Sequence, residues 1–215
     1  KEYRDKYSHL TYPEPLLYAS ITMMDEQVGR LWAELEAMGE ADNTMLWFCS
    51  DNGPERGTPG TAGPFRERKR SLYEGGVRVP GFMIWPNKIK SNQKIDVPAV
   101  TSDYLPTILD FLEMDYPDQE RPLDGTSLRD ALVAGKQQRN KAIGFKFGNK
   151  ISWVTDQYKL ISTDQGETFE LYDLIADKSE KKNIAKEHKK LVTSMKNELL
   201  SWIESCKNSD MGADY

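Results

Sequence analysis

Between Leu17 and Met38 the apolar residues Leu17, Ile21, Met24, Val28, Leu31, Leu35 and Met38 are spaced alternately by four and three. That spacing draws one stripe along an α-helix, and Gly39 follows where a left-handed cap is expected to end it. Tyr18 and Trp32 widen the stripe, which predicts packing against a core rather than a narrow coiled-coil seam. After a short polar loop, residues 44–49 carry Met45-Leu46-Trp47-Phe48-Cys49, apolar on both faces, as in a central parallel strand covered by helices. The strand stops at Ser50-Asp51-Asn52-Gly53. A helix, a loop, a buried strand and polar residues at its carboxyl end describe half of an α/β unit, and ligands of open α/β sheets sit at such strand ends.

Further along, residues 54–63 are rich in Gly, Pro and Thr and read as a loop, and 77–85 read as a second buried strand with Pro80 near its start. Ser102 is placed to cap a helix carrying Leu105, Ile108, Leu109 and Leu112, and a short helix over 127–134 ends at Gly135. The polar run 136–141 suggests a boundary, with 1–136 as part of a larger domain and 137–215 as a small α+β domain. In the latter, 151–154, 158–161 and 168–171 read as antiparallel strands, and Leu191, Met195, Leu199 and Trp202 mark a closing helix. Residues 208–215 read as a frayed tail.

Composition narrows the function classes. A net charge of −5 over 215 residues does not favour nucleic acid or anionic lipid as a partner. The run 45–49 is far too short for a membrane span, and two cysteines cannot make a disulfide framework. The start, Lys1-Glu2-Tyr3-Arg4-Asp5, has neither Met nor an apolar signal region and suits a mature or excised segment.

Each chemistry-bearing feature has two readings. Asp51-Asn52-Gly53 is a tight turn, or a carboxylate and an amide oxygen offered to a hard cation such as Ca²⁺ or Mg²⁺. Arg66-Glu67-Arg68-Lys69-Arg70 is a solvated charge cluster, or a set of cations for an oxyanion. Glu74-Gly75-Gly76-Val77-Arg78-Val79-Pro80 implies close backbone packing, with Glu74 and Arg78 placed to pair. His9 and His188 lie in polar surroundings that suit the surface, and Cys49 suits a small core residue.

Taken in order, Ser50-Asp51-Asn52-Gly53, Gly63-Pro64-Phe65-Arg66, Lys69 and Leu72 to Pro80 resemble the second half of a type I (formylglycine-dependent) sulfatase, an arylsulfatase-family enzyme. Flanking stretches agree: Met23 to Leu31, Trp85-Pro86 with Lys88-Ile89, Asp103 to Asp110, Leu123 to Leu128, Glu170 to Leu174, and Asn183-Ile184-Ala185. The resemblance implies an α/β, alkaline-phosphatase-like sheet portion followed by the small α+β domain. It also implies a hydrolase that cleaves sulfate from an aryl or carbohydrate ester. Asp51 and Asn52 correspond to metal ligands, usually for Ca²⁺ with Mg²⁺ as the alternative, and Lys69 to a catalytic contact with the sulfate. A metal plus a lysine suits the charge that builds on the ester oxygens.

The departures matter as much. Neither Cys49 nor Cys206 sits in the context of the residue converted to formylglycine, and the paired N-terminal aspartates of the metal site are missing. The implied partner is therefore an N-terminal half of the same chain, carrying the nucleophile, and the segment alone is expected to be inactive. Alternatives on the same residues are a phosphoryl or phosphonate hydrolase of the same fold, or a non-catalytic fragment or binding module. Arg68 and Arg70, where many relatives have Gly, line a substrate rim suited to a sulfated polysaccharide, or else pair with Glu67 and Glu74 to shape the loop. By the family's habit the parent is exported to a periplasmic, extracellular or lysosomal space.

Overall fold

The computed structural model describes residues 1–116 and 123–213. Helix α1, Glu2–Asp5, lies against the long helix α2, Glu14–Ala37. The Tyr3 hydroxyl donates to Glu26 at 2.6 Å, and the hydroxyls of Tyr7 and Thr22 meet at 2.5 Å. Gly39 takes φ 75°, and the Glu40 N–H returns to the Leu35 carbonyl at 2.9 Å, so the helix ends where the glycine predicts. The expected burial does not follow. Ile21, Met24, Leu31 and Met38 stay exposed, and Ala19 is the helix's one buried residue. The period is right, but no layer covers the stripe among the described residues.

The strand expected to be central and parallel is β1, Leu46–Cys49, and it is neither. It pairs antiparallel with β2, Gly81–Ile84, matching Leu46 to Ile84 and Cys49 to Gly81, and is only half-buried. The strand expected over 77–85 begins late because its first residues close a helical turn, α3, Glu74–Val77. Gly75 and Gly76 admit neighbouring carbonyls too closely for a pleated strand, and the Arg78 N–H bonds to Glu74 O at 2.8 Å. Pro80 then separates the turn from β2.

Helix α4, Tyr104–Phe111, follows a 3₁₀ turn over Thr101–Asp103, and Asp103 rather than Ser102 organises its start. The Asp103 carboxylate accepts the Val100 N–H at 2.8 Å and the Thr126 N–H at 2.9 Å. Helix α5, Arg129–Ala134, stops at Gly135 with φ 69°. A cluster of Trp85, Ile89, Phe111, Leu128 and Leu132 joins these helices to β2.

The second sheet runs β3-β4-β5-β6, all antiparallel: Ile143–Phe147, Lys150–Val154, Tyr158–Ser162 and Glu170–Asp173. Alternation along the strands divides its two faces. Ile151, Trp153, Leu160 and Leu171 meet Met195 and Leu199 of helix α6, Lys189–Asp210. Ile143, Val154, Ile161 and Tyr172 meet Leu72 and Tyr73 from the first part of the chain. That core crosses the polar run at 136–141. Two sequence readings need correction here. Strand β3 escapes detection because Gly144 breaks its pattern, yet that glycine lies under the Trp202 ring, where a Cβ would come within 2.5 Å. Helix α6 continues through Asn208 to Asp210, so only the last described residues leave it, and 214–215 lie outside the described part. No helix among the described residues is long and apolar enough to cross a membrane.

The polar run itself contributes an inward-facing arginine. Arg139 grips Asp103 with two bonds, 2.6 and 2.7 Å, and both side chains have 1% exposure or less. Removing either partner strands the other charge away from water, which typically costs about 3–5 kcal/mol. Arg139→Ala and Asp103→Ala should each lower unfolding free energy by about that amount. The double variant should lose clearly less than the sum, as read from urea unfolding.

Candidate active site

The carboxyl end of β1 turns sharply because glycine faces glycine. Gly53 donates its N–H to Gly76 O at 2.9 Å, and a Cβ on Gly53 would lie 1.8 Å from Gly75 O. Gly75 in turn bonds its N–H to Arg66 O at 2.8 Å, and a Cβ there would meet Glu67 O at 2.2 Å. The Lys69 N–H reaches Pro54 O at 3.1 Å. These short backbone links bring the Asp51-Asn52 turn and the Lys69 loop, far apart as motifs, to the walls of one groove of about 1790 Å³. Asp51, Asn52, Lys69 and Arg70 all line it.

Asp51 is exposed, and Asn52 is half-buried with its Nδ2 donating to Gly53 O at 2.8 Å. That bond turns the amide nitrogen to the backbone and leaves its oxygen as the group to offer a cation. One carboxylate and one amide oxygen have the hard character that Ca²⁺ or Mg²⁺ takes, but six to eight oxygens are usual for Ca²⁺. No cluster of three or more His, Cys, Asp or Glu suited to a metal occurs among the described residues. The pair fits as part of a metal site and needs further ligands.

The charge cluster is more tied down than its sequence suggests. Arg68 does not pair with Glu67: its guanidinium donates to Gly60 O at 2.7 Å and bridges the loop. Arg70 does not reach Glu74: it bonds Glu55 at 2.9 Å, and that hydrogen bond holds the Glu55 carboxyl below its ordinary range. Glu67 is taken by Arg56 instead. Positive φ at Glu67 and Arg70, 66° and 71°, shows how tightly the loop is wound. The expected Glu74–Arg78 pair does form, at 3.1 Å. His9 and His188 are exposed, as their contexts predict. Cys49 is half-buried rather than core, and its Sγ accepts the Tyr104 hydroxyl at 3.1 Å. Burial and that contact push the Tyr104 pKa up to about 12.

Two groups of residues meet in contacts that the sequence motifs do not specify. Arg66 stacks on Tyr73 at 3.9 Å and donates to the Tyr172 hydroxyl at 2.7 Å. Both tyrosine hydroxyls donate to Glu170, at 2.5 and 2.6 Å, and burial followed by that carboxylate raises their pKa values. Lys159 on β5 lies between Glu74 at 2.7 Å and Glu180 at 3.0 Å. An isolated lysine in a strand and a glutamate in a polar loop give no period or motif from which to infer a buried triad.

The glycine contact makes a sharp comparison. Gly53→Ala must push the Gly75 carbonyl aside and should destabilise by about 1–3 kcal/mol, as overpacking does. Gly29→Ala, with open space around its Cβ inside α2, should instead stabilise by about 0.5–1 kcal/mol. Denaturant unfolding of the two variants side by side checks both signs.

Several known proteins resemble this chain. The sulfatase family profile matches residues 15–114. The N-acetylgalactosamine-6-O-sulfatase of Bacteroides thetaiotaomicron is 30% identical over 87% of this chain and 41% of its own length. Human steryl-sulfatase is 32% identical over 65% of this chain and 24% of its own length. A solved structure from work on glycosaminoglycan metabolism by B. thetaiotaomicron superposes with a TM-score of 0.74 at 28% identity, over 87% of this chain and 44% of that one. Those sulfatases carry the alkaline-phosphatase-like fold. The chain thus spans less than half the length of these relatives, and what it shares with them is similarity to the sulfatase family.

Proposed function

We propose that these 215 residues form part of a sulfuric-ester hydrolase and supply its metal-binding turn and one sulfate contact. The observation that carries this reading is the shared groove, in which Asp51 and Asn52 from the end of β1 face the same space as Lys69. Asp51 and Asn52 would hold a divalent cation, Ca²⁺ or Mg²⁺, together with ligands from the rest of the parent chain. When bound, that cation supplies positive charge to the sulfate oxygens. Lys69 adds a point charge, placed to bind the sulfate and to favour the transition state, in which charge grows on the oxygens. The groove's glycine-lined backbone keeps these groups in register, which orients the ester before any bond breaks. The attacking group, a formylglycine by the family's pattern, is assigned to the part of the parent outside these residues.

The names of the relatives favour a carbohydrate sulfate, since one acts on N-acetylgalactosamine 6-O-sulfate and another comes from glycosaminoglycan metabolism, although a steryl sulfatase is also similar. Arg70, whose side chain is 68% exposed at the groove wall, is the better rim residue for a polyanionic substrate. Arg68 is spent on the loop's own carbonyls and serves better as a brace. We assign the parent to an exported compartment on the family's habit.

In the parent enzyme, Lys69→Ala should lower turnover of aryl and sugar sulfates alike by about 10²-fold or more, as loss of an oxyanion contact does. Chelator should abolish activity and added Ca²⁺ or Mg²⁺ restore it. Residues 1–215 alone should turn over neither substrate, for want of a nucleophile. Preferential turnover of a phosphate monoester would move the assignment to a phosphoryl hydrolase on this fold. For Arg70→Ala, unchanged turnover of an aryl sulfate with a raised KM for a sulfated polysaccharide supports the rim role, and equal losses on both refute it.

A further inference from the structure

The Lys159–Glu74–Glu180 group places one cation and two carboxylates where water hardly reaches: Lys159 is 0%, Glu180 1% and Glu74 5% exposed. Charges are rarely buried so completely unless each is paired, and here every one has a partner. Lys159 donates to both carboxylates, Arg78 donates to the second oxygen of Glu74, and Glu180 also accepts the Glu74 backbone N–H at 2.6 Å. Glu74 and Arg78 line the groove, whereas Lys159 and Glu180 do not. The common target is Glu74: Lys159 and Arg78 bond its carboxylate, and Glu180 accepts its backbone N–H. From there the path to the site is short: Glu74 leads directly into Gly75 and Gly76, Gly76 O takes the Gly53 N–H, and Gly53 follows Asn52. Gly75 also holds Arg66 O, at the start of the loop that carries Lys69.

We propose that Lys159, with Glu180, is a positioning residue: from the C-terminal sheet it fixes the Glu74-Gly75-Gly76 backbone and, through it, the Asp51-Asn52 turn and the Lys69 loop. This inference rests on the reading of Asp51, Asn52 and Lys69 as site residues, while its structural part stands apart from that reading. Ordinary packing of the two parts is already supplied by the cluster of Leu72, Tyr73, Ile161 and Tyr172, and by the Arg139–Asp103 pair. The triad adds direction. A point charge between two carboxylates, one of which also grips a backbone amide, holds the loop at one height above the sheet, which apolar contacts do not specify.

Native-state amide exchange in this chain tests the structural part. Lys159→Met leaves two buried carboxylates without their shared cation; where it folds poorly, the double variant Lys159→Met/Glu180→Gln takes its place. In that variant the side-chain amide oxygen introduced at position 180 can still accept the Glu74 N–H. Exchange at Gly53, Gly75 and Gly76 should quicken about tenfold or more, while Met195 and Leu199 of α6 keep their native protection. Unchanged exchange at Gly53, or equal quickening at all five amides, overturns the proposal. In the parent enzyme the same double variant should lower kcat at least several-fold with KM for an aryl sulfate nearly unchanged. A change confined to KM, or none, overturns the functional part. If the unsubstituted parent turns over no sulfate ester, the sulfatase reading fails, and the exchange result still decides whether Lys159 holds the loop.

Discussion

Backbone meeting backbone at Gly53, Gly75 and Gly76 is the constraint from which the candidate site follows. Cβ atoms at these positions would stand 1.8, 2.2 and 2.1 Å from carbonyl oxygens, distances that no side chain can occupy. Close approach lets a strand end, a helical turn and an arginine-rich loop share a few hydrogen bonds. It also removes the need for a dedicated domain to bring them together. Such contacts are unforgiving but not strong, since a hydrogen bond exchanged with water nets only about 1 kcal/mol. The surroundings must therefore hold the glycines in place. They do so with buried charge on one side, through Glu74, and on the other with Arg66 over the Tyr73 ring, which meets Tyr172 edge to face.

What the sequence made legible depended on whether the signal was local. The 4-3 spacing of α2, the glycine stops at Gly39 and Gly135, and the alternation of β4 and β5 each report on a few neighbouring residues and were readable. The ordered motifs made Asp51, Asn52 and Lys69 candidates, and all three line the same groove. Pairing direction was not readable. An apolar run such as 45–49 fits a covered parallel strand or a half-buried antiparallel one equally well, and its partner Gly81–Ile84 lies more than thirty residues on. Nor was the destination of a charge. Arg139 in a polar run and Arg68 in a charge cluster both turn inward, one to a carboxylate and one to carbonyls, for reasons that exist only once the chain has folded.

Two kinds of cation work in this chain. Arg139 and Arg66 use the planar fork to satisfy several acceptors at once inside a seam between elements, which a lysine could not do. Lys159 does the converse. A compact ammonium fits the narrow space between two carboxylates, where a guanidinium would need more room. Burial, and to a lesser extent the nearby Glu74 carboxylate, holds the Glu180 carboxyl above its ordinary pKa, although Lys159 pulls in the other direction. A polar interior of this kind gives little net stability compared with apolar packing, so its persistence points to geometry as the quantity being held.

The exposed stripe of α2 completes the physical picture. Ile21, Met24 and Leu31 on α2, with Met38 just past its end, share one property with Leu105 and Ile108 on α4 and Leu112 just past its end: they are patterned for a core and exposed among the described residues. Isolated apolar side chains on a surface need no explanation, but a whole helical face does. The relatives this chain matches are more than twice as long as the part it covers. Helix α2 keeps a full core-facing period across 24 residues, yet Ile21, Met24 and Leu31 along it, and Met38 at its end, stay exposed. By contrast, the α6 face is fully used: Met195 and Leu199 are 2% and 0% exposed against the β3–β6 sheet. The same amphipathic rule thus separates the two ends of the molecule, a C-terminal helix whose apolar face is covered by the sheet and an N-terminal helix whose stripe stays largely exposed among the described residues.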